Sequence, residues 1–201
     1  MKRFFKIAPT ALWTFGFFLW GIVSHSADAF LTVLAITVHE TGHILGSWLM
    51  RAPFSSFRLA PGEARLTLGN GILSYGKECF ICLSGPLCNG ISAWAAMRFG
   101  ATLLGNDSLS FFTTVSLSLA LLNLLPINSF DGGRMLFCAL SSVTDPQKAT
   151  KVCFAVSFLF LFSLWCVSVY ALVRTGESLS LFLFSAALFL SLISPQGSRS
   201  I

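Results

Sequence analysis

Charged side chains are scarce in this chain. Only 10% of its 201 residues are Asp, Glu, Lys or Arg, where soluble domains carry roughly 25%. That scarcity excludes an ordinary soluble protein. Hydrophobic residues make up 55% of the chain and the mean hydropathy is +0.78, so the lipid bilayer is the expected surrounding. The 13 Lys and Arg outnumber the 8 Asp and Glu, for a net charge of +5. No basic patch interleaved with aromatics goes with that excess. The cations stand at the ends of apolar runs, where they set topology, and nucleic acid is excluded as a partner. A disulfide framework is lacking too. Cys79, Cys82, Cys88, Cys138, Cys153 and Cys166 lie in or beside apolar segments and read as buried free thiols. Cys79-x-x-Cys82 has zinc-knuckle or redox spacing, but no second pair completes it. Internal repeats, low-complexity stretches and an appended soluble domain are also missing, so residues 1–201 read as one integral-membrane domain.

Six apolar runs are present, each near the roughly 20 residues a membrane helix needs. They are Ile7 to Ala27, Ala29 to Met50, Cys79 to Met97, Ser108 to Phe130, Val152 to Val173 and Ser178 to Ser194. The first follows a basic head and reads as an uncleaved helix, although Ala27-Asp28-Ala29 also offers a signal-peptidase pattern. Between the second and third runs, Phe57-Arg58-Leu59 and Arg65-Leu66-Thr67-Leu68 alternate polar and apolar residues around Pro61-Gly62. Gly69-Asn70-Gly71 and the strand-like Ile72-Leu73-Ser74-Tyr75 follow. This stretch is expected to form a small β-hairpin or three-stranded sheet at the membrane surface, or else an interfacial loop. Met135 to Lys151 reads as a mixed connecting segment. The expected fold is therefore an all-α polytopic membrane protein with about six transmembrane helices. Lys and Arg at the run ends place both termini on the cytoplasmic side of an inner or plasma membrane.

The second run contains His39-Glu40-x-x-His43. On a helix, histidines at i and i+4 share a face and can bind one Zn²⁺, with the intervening Glu40 placed as general base on a water. Two histidines and a carboxylate are costly in a lipid-buried helix, which marks a working site. Gly42 and Gly46, four apart, permit close approach of a neighbouring helix. A catalytic zinc takes three protein ligands, and elimination selects Asp131 as the third. Glu63, Glu78 and Asp145 belong to surface loops, and Asp28, Asp107, Glu177 and His25 lie on the far side of the membrane. Asp131 ends the fourth run after Pro126, which breaks the helix, and before Gly132-Gly133, where the backbone can turn sharply. His39, His43 and Asp131 all fall toward the cytoplasmic side. A 2-His-1-carboxylate set also suits non-haem iron, but the adjacent Glu40 decides for hydrolysis. The alternative is a zinc-binding membrane scaffold or a metal transporter. A transporter would need further ligands along its path, and the remaining spans offer none. Asn89, after Gly85-Pro86, sits polar within the third run and needs a hydrogen-bond partner.

These motifs resemble the site-2 protease family of intramembrane zinc metalloproteases. The resemblance rests on His39-Glu40-x-x-His43, on Asn123-x-x-Pro126 with Asp131-Gly132, and on Gly85-Pro86-x-x-Asn89, and it covers a catalytic core of about residues 29–134. It implies zinc bound by His39, His43 and Asp131 with Glu40 as the base. It also implies cleavage of a membrane-tethered substrate protein in or near its membrane segment, a step that would release a transcription or sigma factor. In the family, the broken Asn123–Pro126 region and the sheet after helix two help hold the unwound substrate. Asn123, Pro126, Asn128 and Asn89 are thus candidates for substrate binding, while helix-to-helix hydrogen bonding is the alternative for the three asparagines. The plan is similar to that of the PDZ-less sporulation proteases that process a sigma-factor precursor. Three departures stand out. No PDZ domain fits between the motifs, no regulatory domain is expected after helix six, and Asn128-Ser129-Phe130 replaces the usual Pro-Leu. Gating by a partner membrane protein, or by prior cleavage of the substrate, is the expectation that follows.

Overall fold

The computed structural model describes residues 27–52, 54–60, 63–68, 73–99, 106–175 and 179–193. The expected first span, the turns at Pro61-Gly62 and Gly69-Asn70-Gly71, and the C-terminal tail lie outside them. Six helices and two strands are described: α1 (Ala27–Leu49), β1 (Phe54–Ala60), β2 (Glu63–Leu68), α2 (Tyr75–Phe99), α3 (Asn106–Asn123), α4 (Asp131–Ser141), α5 (Pro146–Thr175) and α6 (Leu179–Ile193). The chain divides into two compact units, Met1–Asn123 and Leu124–Ile201.

In the first unit, α1, α2 and α3 pack against one another. Lipid tails are as apolar as leucine, so helix association in a bilayer leans on close fit and small residues. The buried face of α1 includes Leu31, Ala35, His39, Gly42, His43 and Gly46, a helical spacing. Leu31 and Ala35 meet Phe112 of α3, with Ala96, Val115 and Leu119 around them. Gly42 is where backbones come closest. A Cβ there would lie 2.6 Å from the Ser84 carbonyl oxygen and 2.9 Å from the Gly85 Cα. The glycines of α1 do serve packing.

α1 ends in a Schellman arrangement. The Ala52 amide donates to the Ser47 carbonyl and the Arg51 amide to the Trp48 carbonyl, both at 3.0 Å, with Arg51 at φ 51°. β1 and β2 then run antiparallel, with Phe57 opposite Leu66 and Arg58 opposite Arg65, and an irregularity between Phe54 and Ser56. Among the described residues of the third strand the sequence allowed, Leu73 and Ser74 form no strand and Tyr75 opens α2, with the Glu78 backbone amide donating to the Ser74 carbonyl. α2 runs through Pro86.

The fourth apolar run is not one helix. α3 stops at Asn123, because Pro126 has no N–H to give and disfavours helical backbone at Leu125. Leu124 to Phe130 is irregular and opens the second unit. Met135 to Lys151 is also not a mere connector. α4 begins at Asp131, a four-residue turn follows, and α5 starts at Pro146. Asp145 caps α5, its carboxylate accepting the Gln147 amide at 3.1 Å, and proline suits the first helical position.

Gly132 and Gly133 sit inside the first turn of α4 rather than making a sharp turn. What requires them is proximity: a Cβ on Gly132 would meet the Leu124 and Leu125 carbonyl oxygens, and one on Gly133 the Ile127 carbonyl. Ile127 is buried with Leu161 of α5 and Leu188 of α6, and Ser168 and Ser185 join α5 to α6 by a 2.9 Å hydroxyl bond.

Three described helices are long and apolar enough to cross a membrane, Ala27–Leu49, Tyr75–Phe99 and Pro146–Arg174, with a shorter apolar helix at Leu181–Leu190. Their outward faces carry large apolar side chains, Trp48 at 74% exposed, Leu159 at 63% and Val173 at 80%. Such faces in water would favour aggregation. The chain is a multi-pass integral membrane protein.

Candidate metal centre

One turn apart on α1, His39 and His43 are 6% and 7% exposed. Their Nε2 atoms lie 3.2 Å apart and the rings meet edge-on at 84°. α2 fixes both rings from behind. The His43 Nδ1 lies 2.8 Å from the Ile81 carbonyl oxygen, which can only accept, so Nδ1 carries the proton and Nε2 keeps its lone pair. The His39 Nδ1 lies 3.4 Å from the Asn89 amide nitrogen. Gly85 lies against the His43 ring, so close that a Cβ would fall 2.5 Å from its Cε1. The ring occupies the space a side chain would have taken.

The pair can be tested against the ion the sequence implies. Two nitrogens held tetrahedrally at the usual Zn–N distance stand about 3.3 Å apart, and the two Nε2 atoms are 3.2 Å apart. A ligating imidazole also gives its other N–H to a carbonyl or carboxylate, as His43 does to Ile81. The pair fits zinc. Glu40 follows His39 directly and is half-buried. One residue further along the helix, it points about 100° round the axis from His39.

In the second unit, Asp131 is the first residue of α4 and half-buried. The positive end of a helix macrodipole favours a carboxylate there. Phe130 precedes it in extended conformation, with no side-chain cap.

The candidates for substrate contact fall in different settings. Asn123 donates its amide to the Leu119 carbonyl of its own helix at 2.9 Å. Pro126 and Asn128 are held by a residue that sequence reasoning did not single out, Ser157 of α5. The Ser157 hydroxyl accepts the Asn128 backbone amide at 2.9 Å and donates to the Pro126 carbonyl at 3.4 Å. Its only sequence signal was a hydroxyl within an apolar run. Asn89 is fully buried beside His39. The Ile81 carbonyl left no sequence signal, and Gly85 appeared only as part of a motif.

The model of peptidase family M50 matches residues 105–164. Over 185 residues the chain is 29% identical to stage IV sporulation protein FB of Bacillus subtilis, covering 84% of this chain and 62% of that protein. Over these stretches the chain resembles peptidase family M50. A shorter likeness, 28% identity over 91 residues, covers 44% of this chain and 19% of a putative zinc metalloprotease of Vibrio cholerae. The fold is that of the site-2 protease from Methanocaldococcus jannaschii, with a TM-score of 0.63 at 19% identity, over 91% of this chain and 85% of that one. The chain thus spans about three fifths of the length of its Bacillus relative.

Proposed function

We propose that the chain is a zinc-dependent intramembrane endopeptidase that hydrolyses a peptide bond in or near the membrane segment of a membrane-tethered protein. His39 and His43 hold the ion through Nε2, with Asp131 as the third ligand. The observation that carries the reading is the buried histidine pair, spaced for one tetrahedral ion and with His43 oriented by the Ile81 carbonyl. Bound zinc supplies Lewis acidity, polarising the scissile carbonyl and making water acidic enough to deprotonate near neutral pH. Glu40 takes the proton from the attacking water and passes it to the leaving amine.

A helical substrate cannot react as it stands, because its carbonyls are tied up in its own hydrogen bonds. The irregular stretch around Pro126, steadied by Ser157, and the edge of the β1–β2 pair are the parts suited to holding an unwound strand. Six spans, cytoplasmic termini and a site toward the cytoplasmic side complete the reading. Eleven Lys and Arg fall in the segments assigned inside, against Arg98 and Arg174 outside. Release of a tethered transcription or sigma factor is the role the resemblance implies. The test is cleavage of a membrane-tethered reporter by the full chain. Wild type cleaves it, and Glu40→Gln and Asp131→Asn do not; zinc flux that survives Glu40→Gln in proteoliposomes would favour a transporter instead.

A further inference from the structure

Behind the histidine pair, one buried amide has a polar atom to spare. Asn89 of α2 is 0% exposed, and its Oδ1 has no hydrogen-bond partner among the described residues. Its Nδ2 lies 3.4 Å from the His39 Nδ1. A buried polar atom without a partner costs about 1–3 kcal/mol, so its position beside a ligand asks for an explanation.

The proton order supplies one. His43 gives its Nδ1–H to Ile81, so its Nε2 can only accept. A hydrogen bond across the 3.2 Å between the two Nε2 atoms must then come from His39, carrying its proton on Nε2. His39 Nδ1 accepts in turn, and the Asn89 NH₂ is the donor that faces it. Binding a cation through both Nε2 atoms requires the opposite tautomer at His39, with the proton on Nδ1. Turning the Asn89 amide by half a rotation replaces Nδ2 with Oδ1 at that nitrogen, and the unpartnered oxygen becomes the acceptor of the Nδ1–H. An asparagine can serve both tautomers from one position. A carboxylate can serve only one of them, and an apolar side chain neither.

We infer that Asn89 is the positioning residue of His39, its amide reversing to hold the Nδ1–H tautomer that leaves Nε2 available to the metal. This rests on the zinc reading above. Loss of such a partner behind a ligating histidine typically weakens metal binding 10–100-fold.

The experiment measures Zn²⁺ affinity of the full chain by competition with a chromophoric chelator, together with the His39 tautomer by ¹⁵N NMR of the imidazole. Wild type, Asn89→Leu and Asn89→Asp are compared. Asn89→Leu is expected to bind Zn²⁺ 10–100-fold more weakly, and Asn89→Asp, nearly the same shape, to stay within a few-fold of wild type or tighten. Zinc should move the wild-type His39 proton from Nε2 to Nδ1, whereas Asn89→Asp holds it on Nδ1 with or without zinc. A purely packing role predicts otherwise, since a buried carboxylate would then weaken the site as leucine does. The inference is overturned if Asn89→Leu binds Zn²⁺ like wild type, if Asn89→Asp loses affinity as leucine does, or if zinc leaves the tautomer unchanged. A wild-type chain with no stoichiometric Zn²⁺ site would instead overturn the zinc reading beneath it.

Discussion

Replacing Gly85 by alanine adds one methyl group, and the structure fixes what it meets. The new Cβ would lie 2.5 Å from the His43 Cε1 and 3.0 Å from its Cδ2, and closer still to Nε2. Carbon atoms in contact prefer 3.5–4.0 Å, so ring or helix must yield by about 1 Å. The ring is held by the 2.8 Å bond from Nδ1 to the Ile81 carbonyl, and a 1 Å displacement breaks it. Leaving those buried groups unpaired costs about 1–3 kcal/mol, or roughly 5- to 150-fold in an equilibrium constant. Zinc ligands also tolerate errors of only about 0.2 Å, so the loss in affinity should sit at the upper end. Gly90, five residues on in the same helix, is the control: a Cβ there meets nothing within 4 Å. Gly90→Ala should be neutral, or stabilising by up to about 1 kcal/mol through helix propensity. Both variants, purified in detergent, are compared with wild type for Zn²⁺ affinity, thermal unfolding and reporter cleavage. Wild-type Zn²⁺ affinity in Gly85→Ala, or equal damage in Gly90→Ala, would refute the reasoning.

Two further predictions concern segments that follow helix ends. Ser157→Ala removes the acceptor of the Asn128 amide and the donor to the Pro126 carbonyl; it should cost about 1–3 kcal/mol in unfolding experiments and raise the KM for a tethered substrate while Zn²⁺ affinity holds. Arg51 occupies the left-handed position that ends α1, so Arg51→Gly should stabilise the chain by about 1 kcal/mol. That is a rise of about 2–4 °C in a thermal melt.

The parts legible in the sequence were those written in long apolar runs and in residue chemistry. The run from Ala29 to Met50 became Ala27–Leu49, and the last run, from Ser178, became Leu179–Ile193. α2 and α5 begin earlier than their runs because polar residues such as Lys77, Glu78, Lys148 and Lys151 continue a helix beyond its apolar stretch. α4 was missed because eleven residues with one polar face leave no long run. Gly132-Gly133 suggested a turn, whereas the structure uses them for proximity to the Leu124 and Ile127 carbonyls. That constraint comes from a chain segment folding back, which spacing does not encode. The histidine pair was readable from its i, i+4 spacing. Its support was not, since Ile81, Gly85 and Asn89 reach it only across the α1–α2 contact.

The central claim is most directly tested on a single variant, Glu40→Gln, by measuring its Zn²⁺ content and its rate of reporter cleavage on the same preparation. Glu40 moves the proton and is not one of the proposed ligands, so zinc should be retained at wild-type stoichiometry while cleavage falls by about 10²–10⁴-fold. Glu40→Gln that keeps its zinc and cleaves as fast as wild type would contradict the account.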